Sequence, residues 1–261
     1  MLALITGASS GIGRDMARVL SRKGYDLILV ARRKDRLEEL QKEFNTKVEI
    51  ITLDLSSNEN CIQLFEQTKN QPIDFVILNA GFGHCGYFHE MEMNKLTNMI
   101  QVNVEGLSIL FRLYLNLMVE KNHGYIMNVA SAAAFTTGPL MAEYYATKAY
   151  VYQLTLAVYE ELRRMKSKVR VSVLCPGPVK TEFDEVADVR FQMKSQTSEF
   201  VARFAIQKAL KGKLVLIPSK KIAIGKFFTR FVSEKTLAKI GYSFQKKKMV
   251  SINFLEVGRN R

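Results

Sequence analysis

The 261-residue chain is expected to fold as a single doubly wound parallel α/β domain with helices on both faces of the sheet. Three observations carry that expectation. Short runs rich in Ile, Val and Leu alternate with amphipathic segments from the first residue onward. Those runs show little polar alternation, as strands covered on both faces should. A glycine-rich turn joins the first apolar run to the first helical segment.

The runs Leu2–Ile5, Asp26–Ala31, Val48–Leu53, Ile73–Leu78, Tyr125–Val129 and Val169–Leu174 read as buried strands, followed by a late strand over Lys213–Ile217. Helical patterns cover Ile12–Lys23, Lys34–Phe44, Ser57–Lys69 and Ser198–Leu210, and a long one runs from Tyr144 to about Met165. The charge-free stretch from His123 to Ala142 is not a membrane span. It contains Asn128, Ser131, Thr136, Thr137, Gly138 and Pro139, so it reads as a strand and then a loop. No linker interrupts residues 1–218, which are expected to form the main domain. Residues 219–261 form a basic amphipathic extension.

With 48% apolar residues the chain can build one sizeable core. Cys61, Cys85 and Cys175 form no CxxC pair and no even framework, which points to a reducing compartment and no metal site. The start lacks a basic region, apolar run and cleavage site in order, so a cytoplasmic location is expected. The net charge of +13 is uneven, because residues 219–261 hold 11 Lys or Arg and only 2 Glu. A nearly balanced body with a basic tail excludes a general nucleic-acid binder and implies a local surface function.

Thr6-Gly7-Ala8-Ser9-Ser10-Gly11-Ile12-Gly13 lies between the first strand and first helix. Gly7 permits a tight turn, Gly11 admits a pyrophosphate to the backbone, and Gly13 lets the helix pack on the sheet. The helix start offers free N–H groups and a partial positive charge to that anion. After the second strand comes Ala31-Arg32-Arg33-Lys34, where an NAD-binding chain would place an acid for the ribose hydroxyls. Guanidinium groups there suit a 2′-phosphate, so NADP(H) is the expected cofactor, and Arg14 could add to the field. Asp54 could accept an adenine amino hydrogen or cap the helix near Ser57. Asn79-Ala80-Gly81, after the fourth strand, is small enough to line a cofactor wall.

Tyr144 and Lys148 are four residues apart on one helical face, and a nearby ammonium would lower the Tyr pKa. Tyr145 sits about 100° around that helix and cannot share Lys148 in the same way. Ser131, just past Asn128-Val129-Ala130, places a hydroxyl at the C-terminal sheet edge where ligands bind in such folds. Cys175-Pro176-Gly177-Pro178-Val179-Lys180-Thr181 ends the sixth strand at the same edge, and Asn103 lies on an intervening helix.

This ordered set resembles the short-chain dehydrogenase/reductase family: Thr6-Gly7-x-x-x-Gly11-x-Gly13, Asn79-Ala80-Gly81, Asn103, Ser131, Tyr144-x-x-x-Lys148 and Pro176-Gly177. The resemblance covers roughly the first 215 residues and implies a Rossmann-type fold. Leu78 departs from the Asn that the family often places before Asn-Ala-Gly. The resemblance implies an oxidoreductase that moves a hydride between NADP(H) and a carbonyl or alcohol substrate. Tyr144 would be the general acid/base, and Ser131 would polarise the substrate oxygen. Lys148 would tune Tyr144 and hold the nicotinamide ribose, while Asn103 would position a water on the proton path. Cofactor contacts would come from Gly7, Ser9, Ser10, Gly11, Ile12, Gly13, Arg32, Arg33, Asp54, Leu55, Asn79, Ala80, Gly81, Tyr144, Lys148, Pro176, Gly177, Val179 and Thr181. A homo-oligomer is also implied.

Two loops are expected to shape the substrate pocket. One is Phe82-Gly83-His84-Cys85-Gly86; the other is a lid over residues 182–197 carrying Phe183, Val186, Val189, Phe191 and Met193. An apolar lid suits a small to medium hydrophobic carbonyl compound. In the extension, Ile224, Phe227, Phe228 and Phe231 recur at helical spacing, as do Leu237, Ile240 and Phe244, between Lys-rich flanks. Such faces suit peripheral contact with an anionic membrane through residues 219–248, or docking on the body or a sister subunit. A catalytically silent NADPH-binding regulator and a membrane-surface adaptor are the other function classes. The first would need no proton donor, and the second leaves Ser131, Tyr144 and Lys148 unexplained.

Overall fold

A computed structural model describes residues 1–182 and 195–257, with side chains described through Lys246. Seven parallel strands form one sheet in the order β3-β2-β1-β4-β5-β6-β9. They are β1 (Leu2–Thr6), β2 (Asp26–Ala31), β3 (Val48–Thr52), β4 (Ile73–Leu78), β5 (Tyr125–Val129), β6 (Arg170–Leu174) and β9 (Val215–Leu216). A separate parallel pair joins β7 (Val179–Lys180) to β8 (Gln196–Thr197). The chain winds outward from β1 in both directions, so the crevice between the ends of β1 and β4 is the topological switch point.

Residue alternation explains why the strands are apolar throughout. Along β1, Ala3 and Ile5 enter one core while Leu4 enters the other. In β2, Leu27 and Leu29 face the first core, and Ile28 and Val30 the second. The first layer comprises α1 (Gly11–Ser21), α2 (Lys34–Gln41) and α7 (Ser198–Leu210). Asp15 on α1 accepts hydrogen bonds from Ser198 and Arg18, which ties α1 to the start of α7.

The second layer comprises α3 (Asn58–Thr68), α5 (Leu107–Lys121) and α6 (Ala142–Arg164). Ser57 caps α3 by accepting from the Asn60 N–H at 3.2 Å. The Thr68 and Tyr114 hydroxyls share a 2.6 Å hydrogen bond between α3 and α5. The helical stretch Met93–Lys121, which includes α4 (Met93–Ile100), is long and apolar enough to cross a membrane. Its Leu107, Leu110, Phe111, Tyr114 and Met118 are instead buried in the second core.

The extension forms α8 (Lys220–Phe228) and α9 (Glu234–Val257). Both touch the body. Lys226 donates to the Tyr152 hydroxyl at 2.6 Å, and Gln245 donates to the Tyr145 hydroxyl at 2.6 Å. Helix α9 carries Leu237, Ile240 and Phe244 toward the same cavity as the sheet edge.

Leu4 is fully buried in the middle of the central strand. Leu4→Ala should cost about 2–5 kcal/mol, read as a lower urea midpoint at unchanged slope. A midpoint equal to wild type would contradict the packing described.

Candidate active site

The glycine-rich turn is built at the switch point. Gly7 and Gly11 adopt φ of +65° and +52°, which side chains rarely tolerate. A Cβ on Gly7 would meet Asn79 Nδ2 at 2.8 Å, and one on Gly13 would overlap the Gly7 carbonyl. Gly13 therefore lies behind the cavity, where it lets α1 close on the sheet. Ser10 precedes α1 in extended backbone, and its side chain makes no capping bond. The first-turn N–H groups of α1 are thus left to a ligand, as an anion site requires. Thr6 Oγ1 accepts from the N–H groups of Asn79 and Ala80 at 2.9 and 3.1 Å, and Asn79 Nδ2 donates to the Thr6 and Gly7 carbonyls at 3.1 Å each. These bonds lock the ends of β1 and β4 together.

One cavity of about 940 Å³ runs from this turn along the C-terminal sheet edge. Of the catalytic and cofactor-contact residues that the resemblance implies, all line it except Gly13 and Asn103. Of the loop expected to shape the substrate pocket only Phe82 does, while Gly83, His84, Cys85 and Gly86 do not. At the end formed by the glycine turn, the Arg33 guanidinium donates through Nε and Nη2 to Ser9 Oγ at 3.3 and 3.1 Å. Its Nη1 donates to Glu182 at 2.8 Å, and Arg36 binds the other Glu182 oxygen. Those arginine hydrogen bonds outweigh burial and hold the Glu182 carboxyl below the usual range. Arg32 is 3.6 Å from Asp54, whose Oδ1 accepts the Ser56 N–H at 3.0 Å. The α3 cap is Ser57, so Asp54 is not the capping residue. Arg14 pairs with Asp15 at 3.7 Å and does not line the cavity.

At the other end, α6 presents Tyr144 and Lys148 beside the end of β5. Both are buried. Lys148 Nζ donates to the Val129 carbonyl at 3.0 Å and lies 5.9 Å from the centre of the Tyr144 ring. Ser131 Oγ accepts from the Ala133 N–H at 3.1 Å and shares a hydrogen bond with Tyr144. The expected lowering of the Tyr144 pKa is not found. Burial pushes Tyr144 up to about 12, only partly offset by the Ser131 hydrogen bond. Burial likewise brings Lys148 down to about 8. Desolvation is the largest cause of both shifts, and the ammonium is anchored on a carbonyl. Tyr144 therefore holds its proton at neutral pH and can donate it.

Asn103 sits in a π-helical turn, Gln101–Gly106, between α4 and α5. Such turns often mark functional sites. Its Oδ1 accepts from the Phe82 N–H at 3.1 Å, while Nδ2 donates to the Phe82 carbonyl at 2.9 Å and Thr147 Oγ1 at 3.1 Å. Rather than lining the cavity, Asn103 clamps the loop after β4 onto α6. A Cβ on Gly81 would come within 2.9 Å of Asn103 Oδ1 and 3.0 Å of Lys148 Nζ.

The extension contributes more to the site than its sequence suggested. Ile222, Leu237, Ile240 and Phe244 line the same cavity as Tyr144 and Tyr145. Gly177 has no Cβ to collide with Ile222, which lets α8 seat against the strand edge. The only sequence signal was the apolar face of each helix, and a face does not say what it covers. Arg36 was also missed: it lies in the first turn of α2, just after Arg33, and both guanidinium groups meet on Glu182. Of the proposed lid, Phe183, Val186, Val189, Phe191 and Met193 lie outside the described residues.

Comparison with known proteins agrees with this architecture. The family model for short chain dehydrogenases matches residues 1–189. An uncharacterised oxidoreductase of Staphylococcus epidermidis is 31% identical over 189 residues, 72% of this chain and 81% of that protein. A very-long-chain 3-oxoacyl-CoA reductase-like protein of Arabidopsis thaliana is 33% identical over 196 residues, 72% of this chain and 62% of that protein. Among solved structures, a short-chain dehydrogenase from Sphingobium yanoikuyae in complex with NADPH superposes with a TM-score of 0.80 at 29% identity, covering 85% of this chain and 89% of that one. The seven-stranded parallel sheet, the glycine turn at its switch point and these matches place the chain in the short-chain dehydrogenase/reductase family of oxidoreductases.

Proposed function

We propose that the protein is an NADP(H)-dependent reductase of apolar ketones or aldehydes, also able to run as an alcohol dehydrogenase, with Tyr144 as its proton donor. The observation that carries this reading is the group of Ser131 with the buried Tyr144 and Lys148 in a cavity that is also lined by Arg33 and the glycine turn. The residues fit a dinucleotide: α1 offers uncapped N–H groups, and Gly7 and Gly11, both with positive φ, bring the bare backbone of the turn to the cavity. The arginines at the end of β2 favour the 2′-phosphorylated form. The cofactor, when bound, supplies the hydride.

The protein's own residues do the rest. The Ser131 and Tyr144 hydroxyls, hydrogen-bonded to each other, would together meet a carbonyl oxygen that gains negative charge during reduction. Tyr144 then transfers its proton to that oxygen. The Lys148 ammonium, fixed by Val129, favours the phenolate that results. Asn103 keeps the loop after β4 registered on α6 throughout. Phe82, Met141, Tyr145, Ile240 and Phe244 give the substrate end an apolar lining that excludes water and suits a hydrophobic carbonyl compound.

The outer faces of α8 and α9 support peripheral binding to an anionic membrane. Ile224, Phe227, Phe228 and Phe231 are each more than half exposed. They stand near Lys220, Lys221 and Arg230, a composition that complements acidic lipid, while Lys226 turns inward to Tyr152. Since the inner faces wall the cavity, an apolar substrate could pass from the lipid to the site.

A panel of apolar ketones followed by NADPH loss should find turnover. The Tyr144→Phe protein should bind NADPH as wild type does, yet turn over at least about 100-fold more slowly. Near-normal turnover would remove Tyr144 as the acid. In sedimentation with phosphatidylglycerol vesicles, wild type should pellet, and less so with phosphatidylcholine alone. The Phe227→Ser, Phe228→Ser, Phe231→Ser triple variant should stay in the supernatant. Equal partitioning of the two proteins would end the membrane reading.

A further inference from the structure

We infer that Glu182 is a built-in competitor for the cofactor's 2′-phosphate, so that this one carboxylate sets how strongly the site prefers NADP(H) over NAD(H). The inference rests on the NADP(H) reading of Arg33. Where a doubly wound fold ends its second strand, the ribose 2′ position is met. Here that place is formed by Arg33, by Ser9 from the glycine turn and by Arg36 one helical turn along α2. The seat already holds an anion. Each oxygen of Glu182 takes a different guanidinium, one from Arg33 at 2.8 Å and the other from Arg36. A phosphate would make the same two-pronged contact with the same donors.

The contact spans 149 residues of sequence and is not an accident of neighbouring positions. Glu182 directly follows Thr181, whose Cγ2 would lie 3.0 Å from a Cβ on Gly11. The segment leading to it, β7, is held by its pairing with β8. The chain thus crosses over the phosphate turn and sets its carboxylate down on the arginine pair. Glu182 and both arginines keep between 34% and 40% of their side chains exposed, so an incoming anion can reach and replace the carboxylate.

The consequences differ for the two cofactors. A 2′-phosphate brings close to two negative charges to guanidinium groups already paired with a carboxylate, and the two anions repel. NADP(H) must therefore expel Glu182 to gain the arginines. NAD(H) carries no such group and leaves the Glu182 bridge intact. The arginines promote NADP(H), and Glu182 moderates that preference.

The test is equilibrium titration of the full-length wild-type, Glu182→Gln and Arg33→Gln proteins with NADPH and with NADH. Glutamine keeps the shape and loses the charge, and NADH binding reports that the site is intact. Glu182→Gln should bind NADPH roughly three- to tenfold more tightly, with NADH changed by less than about twofold. Unchanged or weaker NADPH binding, or equal tightening of both cofactors, would overturn the inference. Arg33→Gln separates the two claims. If it weakens NADPH while Glu182→Gln has no effect, only the role of Glu182 fails. If it leaves NADPH binding unchanged, the phosphate seat itself is lost, and with it the NADP(H) reading.

Discussion

The site depends on one buried hydrogen bond, from the Lys148 ammonium to the Val129 carbonyl. A lysine with almost no exposure is costly, and α6 carries it into the end of β5 with that carbonyl as its anchor. The same bond fixes the rotation of α6 about its axis. That rotation brings Tyr144, one turn earlier, against Ser131 and into the cavity. Gly81 must then be a glycine, because both Lys148 and Asn103 occupy the space a side chain would need. Everything around the ammonium is arranged by shape: a bare backbone, a clamping amide and a hydroxyl.

The two ends of the cavity solve opposite electrostatic problems. At the turn, uncapped N–H groups carry partial positive charge, and the guanidinium groups beside them are held by the Glu182 carboxylate. At Tyr144 and Lys148, burial works against charge, raising one pKa and lowering the other. The sheet joins them because all of its strands are parallel and finish at the same edge. That geometry places the phosphate turn after β1, the wall after β4, Ser131 after β5 and Thr181 after β6 within one continuous cleft.

Much of the sheet was legible in the sequence. Strands with apolar residues on both faces stand out as continuous runs, and β2, β4 and β5 begin and end at the expected residues. The late strand shrinks from Lys213–Ile217 to Val215–Leu216, since an edge strand pairs on one side only. The glycine turn was readable because its neighbours on both sides are regular. Asn103 was found as a residue type, but its clamp on Phe82 and Thr147 needs a π-helical turn that periodicity does not reveal. The Glu182 bridge joins distant segments, and no local pattern announces it. The role of α8 and α9 as cavity walls was equally hidden, because amphipathicity reveals a face and not its partner.

The central claim is that reduction draws its proton from Tyr144. The most direct measurement is single-turnover NADPH oxidation by the full chain with a saturating apolar ketone, followed from neutral to alkaline pH in wild type and Tyr144→Phe. The account predicts that the wild-type rate falls as alkali removes the Tyr144 proton, and that the residual rate of the variant lacks this fall. An alkaline fall that persists unchanged in Tyr144→Phe would show that the proton comes from elsewhere.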